Sequence, residues 1–141
     1  MLTEVRVVEE ITAPAARVWA LLRDFGNLMS WADGLESCEL AGSGVGAVRT
    51  VTRVGGLRIQ ERLESFDEDE RSLSYAIIGN TPLPFRDYLA RVQLREAGFS
   101  RCEITWEGRF DAKPGSETAT QTILRGLYSG LIASLRKKLG V

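Results

Sequence analysis

TATQTILRGLYSGLIASLRKKL, residues 118–139, is the stretch on which the fold turns. Its apolar residues Ile123, Leu124, Leu127, Tyr128, Leu131, Ile132, Leu135 and Leu139 recur at spacings of three and four, the pattern of one buried stripe on a helix. About 22 residues rising about 1.5 Å each make a rod of about 33 Å, as long as a small domain is wide. Thr118 with Gln121 three residues later reads as a capping box, and Arg136, Lys137 and Lys138 ahead of Gly140 suit a helix C-terminus. Gly126 and Gly130 interrupt the helix four residues apart, each at a cost of about 1 kcal/mol relative to alanine. Two explanations stand: close packing of helix on sheet, or room kept for a ligand.

The rest of the chain supplies what such a helix needs. Val5, Val7 and Ile11 mark a first strand within Glu4 to Ile11; Pro14 then opens a helix whose apolar face is Val18, Trp19, Leu21 and Leu22. Phe25 to Asp33 reads as a second short helix or a tight turn. From Leu35 the period changes to two and stays there, giving strands at Leu35 to Leu40, Ala47 to Arg53, Leu57 to Phe66, Leu73 to Ile78, Phe85 to Glu96 and Arg101 to Phe110. The expected class is α+β, with an antiparallel sheet of about seven strands curved around the terminal helix. A sheet curled about a rod leaves a concave apolar hollow, the ordinary form of a small-molecule site.

Composition narrows the partners. The 141 residues fit one domain, 1–141, and 18 basic against 19 acidic residues leave a net charge of -1, so no global field attracts nucleic acid or an acidic membrane. Glu4, Arg6, Glu9 and Glu10 break any apolar run near the start, and no segment has the length of a membrane span; the expected compartment is the cytoplasm. Cys38 and Cys102 lack metal or redox spacing and read as buried reduced thiols. The glycines at 42, 44 and 46 lack the following helix and Lys-Ser/Thr of a phosphate loop, and the acidic run Asp67 to Glu70 reads as a solvated turn, so neither cofactor nor metal is expected. Histidine is absent, which removes the serine and cysteine triads and the commonest general base. Any chemistry falls to Glu, Asp, Tyr, Arg, Lys or water.

ITAPAARVWALLRD, Ile11 to Asp24, followed by Trp31 and these strands, resembles the Bet v 1-like, START-like helix-grip superfamily (SRPBCC), in particular its polyketide cyclase/dehydrase and lipid-transport branch. ERLESFDEDERSLSYAIIG, Glu61 to Gly79, is also similar to plant abscisic acid receptors. The resemblance spans nearly the whole chain and implies a helix-grip fold that hosts binders, carriers and enzymes. In the receptors a lysine two residues before a strand cysteine pairs with the hormone carboxylate; here Glu36 holds that place before Cys38. The receptor gate and latch wordings are replaced by Val54 to Leu57 and Thr81 to Pro84, which argues against hormone sensing.

Alternation turns Tyr88, Ala90, Val92 and Leu94 inward on one strand and Cys102, Ile104, Trp106 and Gly108 on the last. The register of the resemblance adds Leu57, Ile59, Glu61 and Leu63, then Tyr75 and Ile77, and turns Arg49, Val51 and Arg53 inward together with Glu36. With Ile123, Leu127 and Leu131 of the helix, the candidate ligand-binding set is Glu36, Arg49, Val51, Arg53, Ile59, Glu61, Tyr75, Ile77, Tyr88 and Trp106. An unpaired charge in an apolar hollow is costly, so Glu61 is expected to pair with Arg49 or Arg53, with Glu36 as a further member. The leading expectation is binding or transport of a small hydrophobic molecule such as a lipid, quinone, polyketide or aromatic metabolite. The alternatives are a cofactor-free cyclase or dehydratase using Glu61 and Tyr75, and a protein-interaction module docking through Leu83 and Phe85, its protein partner unspecified.

Overall fold

β1 (Leu2–Ile11) buries Thr3, Val5, Val7 and Ile11 on one face, and its neighbour in space is the last strand, β7 (Cys102–Ala112), in antiparallel register from Leu2 opposite Asp111 to Ile11 opposite Cys102. The structure, a computed structural model, describes residues 2–141. Pro14 stands at the N-cap of α1 (Ala15–Leu22), where a missing N–H costs no helical bond, and Val18, Trp19 and Leu22 are buried. The two short helices expected after β1 are one helix and a single 3₁₀ turn, Leu28–Ser30. Asn27, outside helical geometry at φ -108 and ψ 38, and Gly34 at φ 79 bracket that segment and leave space for one turn only.

β2 (Leu35–Ala41), β3 (Val48–Arg53), β4 (Arg58–Asp67), β5 (Ser72–Ile78) and β6 (Phe85–Glu96) complete a seven-stranded antiparallel sheet in the order β1-β7-β6-β5-β4-β3-β2. Register slips between Leu35 and Ser37, Leu63 and Ser65, and Arg86 and Leu89 are bulges, and each bends its strand and tightens the twist. They curl the sheet around α2 (Glu117–Leu139).

The helix departs from its expected start. Ser116 is the N-cap without a side-chain cap bond, and its Oγ donates instead to Lys113 O at 2.6 Å. Gln121, expected to close a capping box with Thr118, donates from Nε2 to Glu4 O at 2.7 Å and so ties the helix to β1. The far end is as expected: Gly140 adopts φ 76 and donates back to the last turn. Arg136 fixes that end to β1, donating to Glu9 Oε1 at 2.8 Å and Glu10 O at 2.7 Å.

The single apolar stripe divides in two. Leu124, Tyr128, Ile132 and Leu135 are buried in the core, whereas Ile123, Leu127 and Leu131, one position earlier in each turn, stay partly open, Ile123 at 63% exposure. Gly126 and Gly130 do not serve the close packing of helix on sheet that is one of the two explanations for them. Both are exposed, a Cβ at either would touch nothing within 4 Å, and they border a shallow groove with Asp33, Arg53 and Lys137. The close approach of helix and sheet is made by a different glycine, Gly108 of β7, where a Cβ would collide with Tyr128 Oη.

Candidate functional site

A cavity of about 290 Å³ lies between the concave face of the sheet, α2 and the segment from α1 to β2. Its walls are mostly apolar: Leu22, Leu28, Trp31 and Leu35 from the α1 to β2 segment, Val51, Ile59, Leu73, Ile77 and Val92 from the strands, and Ile123, Leu124, Leu127 and Leu131 from α2. The hollow exists because the two helical stripes do different work. Leu124, Tyr128, Ile132 and Leu135 pack the helix into the core, and Ile123, Leu127 and Leu131 roof the space that the curled strands leave open.

Two opposite charges enter this apolar wall as a pair. Arg49 and Glu61 stand directly opposite on β3 and β4, and Arg49 Nε donates to Glu61 Oε1 at 2.8 Å. Arg49, 6% exposed, also donates from Nη1 to Phe25 O at 3.0 Å, and its guanidinium lies 3.9 Å from the Phe25 ring centre and 4.9 Å from that of Tyr75. A buried cation flanked by a carboxylate, a carbonyl and two aromatic faces is compensated internally. The pair therefore presents no net charge to the cavity. Arg53 also lines the cavity but makes no ion pair among the described residues, so the expected choice of partner for Glu61 resolves to Arg49.

The floor is aromatic. Trp106 Nε1 donates to Tyr75 Oη at 3.2 Å, the Trp106 ring stacks on Tyr128 at 5.8 Å, and the Tyr88 and Tyr128 hydroxyls share a short hydrogen bond. Burial, reinforced by the nearby Glu61 charge, holds the Tyr75 phenol far above the usual tyrosine range. Burial does the same for Tyr88 and Tyr128. All three phenols are thus neutral. Trp31 adds a buried indole N–H that has no acceptor among the described residues.

Twelve residues of the expected set, Arg49, Val51, Arg53, Ile59, Glu61, Tyr75, Ile77, Tyr88, Trp106, Ile123, Leu127 and Leu131, line one cavity. Glu36 does not. The bulge at the start of β2 places Leu35, not Glu36, opposite Arg53, so Leu35 lines the cavity while Glu36 is exposed. Cys38 is only half-buried, although burial still raises its thiol pKa against the opposing pull of Arg49. Leu83 and Phe85, read as a possible docking tip, turn into the cavity. The wall from Leu22 to Leu35 was not anticipated; the apolar face of α1 and the apolar residues around Trp31 were its only sequence signals. Among the described residues no group of three or more His, Cys, Asp or Glu side chains could hold a metal ion, and no helix is long and apolar enough to cross a membrane.

Seven antiparallel strands gripping one long helix over an apolar hollow define the class: a helix-grip domain with an internal cavity. The chain belongs to the polyketide cyclase/dehydrase and lipid transport family, which it matches over residues 3–140. It is 41% identical over 78 residues to the abscisic acid receptor PYL2 of Arabidopsis thaliana, a match covering 52% of this chain and 41% of the receptor. The chain thus spans about two fifths of that receptor's length. Among solved structures, an uncharacterised Bacillus thuringiensis protein superimposes with a TM-score of 0.86 at 29% identity, covering 96% of this chain and 97% of that one. Norcoclaurine synthase from Thalictrum flavum, solved with dopamine and hydroxybenzaldehyde, superimposes with a TM-score of 0.79 at 19% identity over 99% of this chain and 87% of the synthase, a likeness of fold.

Proposed function

We propose that this protein binds a small, predominantly apolar molecule between its sheet and α2 and serves as a carrier or binder of it. The cavity of about 290 Å³ is the observation that carries the reading. An apolar hollow with a few converging polar groups is the usual form of a small-molecule site; the Arg49–Glu61 pair is compensated internally, and Arg53 adds a polar contact at the wall. The contact set is Arg49, Val51, Arg53, Ile59, Glu61, Tyr75, Ile77, Tyr88, Trp106, Ile123, Leu127 and Leu131. Family membership supports the same class of ligand, and lipids, quinones, polyketides and aromatic metabolites all fall within it. With Glu36 exposed on β2, a carboxylate held as in the receptors has no matching cation at that position.

Native mass spectrometry after incubation with a panel of such compounds tests the reading. A one-to-one complex is expected for the wild type and its loss in Leu127→Trp, which fills the hollow; equal binding by the plugged variant contradicts it. A second reading, a cyclase or dehydratase, is favoured by the convergence of Glu61, Arg49 and Tyr75 on one cavity. There Glu61 acts as base and Tyr75 steadies an enolate oxygen. Unchanged turnover of a cognate substrate by Glu61→Gln and Tyr75→Phe removes it.

A further inference from the structure

Hydrogen-bond accounting at Tyr75 narrows the ligand class, an inference that rests on the binding reading above. A phenol offers one O–H donor and accepts through its oxygen. Tyr75 Oη accepts from Trp106 Nε1 at 3.2 Å, and among the described residues its own hydrogen has no acceptor. The ring has little freedom to turn elsewhere. It packs between Phe25 at 6.2 Å and Tyr88 at 6.5 Å, with the Arg49 guanidinium over its face, and Trp106 is itself held by stacking on Tyr128. Tyr75, Tyr88 and Trp106 all line the cavity. A buried donor without a partner is costly, and the group that meets it in the bound state belongs to the guest.

We infer that Tyr75 selects guests bearing a neutral accepting oxygen, such as a ketone, quinone or ester carbonyl, over hydrocarbons of the same shape. The Trp106 N–H entering the phenol oxygen polarises its O–H outward, so the chain runs Trp106 to Tyr75 to guest oxygen. Beside Tyr75 an anionic oxygen is disfavoured. Glu61 stands near Tyr75, and Arg49, the nearest cation, already donates to Glu61 and to Phe25 O. Burial keeps the phenol protonated, so the donor persists across the physiological range.

Calorimetric titration with 1-tetralone and tetralin, which share a two-ring frame and differ in one carbonyl oxygen, tests this. The wild type is expected to bind the ketone about ten-fold more tightly, and the bound carbonyl stretch to move to lower frequency. In Tyr75→Phe the ratio is expected to fall to about one and the stretch to return. Tyr75→Phe/Trp106→Phe, which also removes the indole donor left behind, is expected to behave like the single variant and covers the case in which that variant folds poorly. A wild-type ratio near one, or a ratio kept in both variants, overturns the inference while binding of the frame itself stands. Failure of both probes to bind the wild type overturns the cavity reading and this inference together.

Discussion

Replacing Gly108 by alanine probes the contact that sets the distance between helix and sheet. Gly108 occupies an inward position of β7, and its Cβ would collide with Tyr128 Oη while standing 3.4 Å from Tyr128 Cζ and from Tyr88 Cε2. Tyr128 has nowhere to retreat: it is fully buried, stacks on Trp106 and hydrogen-bonds Tyr88. Overpacking a core costs typically about 1–3 kcal/mol, and parting the two hydroxyls adds about 1 kcal/mol. A loss of about 3 kcal/mol is expected, which lowers Tm by roughly 9 °C in a domain of this size. Denaturant and thermal unfolding followed by circular dichroism measure it. In a Tyr128→Phe background the obstructing oxygen is gone, and the cost of Gly108→Ala should shrink to about 1 kcal/mol, a coupling of about 2 kcal/mol in the double-mutant cycle. Equal costs in the two backgrounds, or a single variant within about 0.5 kcal/mol of wild type, would refute the reasoning.

Gly126→Ala and Gly130→Ala should act in the opposite direction, each stabilising by up to about 1 kcal/mol in denaturant unfolding, because both glycines are exposed in a helix interior and a Cβ at either meets nothing. Arg49→Met leaves Glu61 without its cation in an apolar wall and should cost about 3 kcal/mol, with much of that loss recovered in Arg49→Met/Glu61→Leu. The chain has three tyrosines, Tyr75, Tyr88 and Tyr128, and burial raises the pKa of each. Because the folded values lie above the unfolded value near 10, their contribution is complete below about pH 10 and is lost as pH rises beyond it. Absorbance at 295 nm should therefore show almost no phenolate at pH 11 in the folded protein, then all three in one step with base unfolding; gradual ionisation without unfolding would contradict the burial. At the acid end, Arg23 and Trp19 hydrogen bonds lower the pKa of Glu68, so its stabilisation is present above the ordinary carboxylate range and lost as pH falls through the folded value. Glu68→Gln should flatten the acid limb of a stability profile below about pH 4.5.

Period decided what was legible in the sequence. Alternation on β6 and β7 turns Tyr88 and Trp106 inward from residue types alone, the register of the family resemblance adds Arg49 and Tyr75, and the 3.6-residue stripe of α2 stands out by its period. Where a local irregularity breaks the period the reading fails. One bulged residue in β2 exchanges Glu36 for Leu35, and nothing in LESCEL marks the bulge. The spacing of α2 marks its apolar stripe without saying which side of it meets the sheet; only the curvature of the strands decides that Leu124 and Tyr128 are packed while Ile123 and Leu127 roof the hollow. Gln121 shows the same limit, since its spacing from Thr118 suits a cap but the carbonyl of Glu4 competes for it. The contribution of Leu22 to Leu35 to the cavity wall depends on tertiary contact alone.

A crystal of the protein without added ligand, pressurised with xenon, addresses the hollow directly, because xenon occupies dry apolar cavities and little else. The account predicts xenon density among Ile59, Tyr75 and Leu127, and none there in Leu127→Trp. Side chains of α2 packed against Tyr75 and Ile59, with no xenon between them, would contradict it.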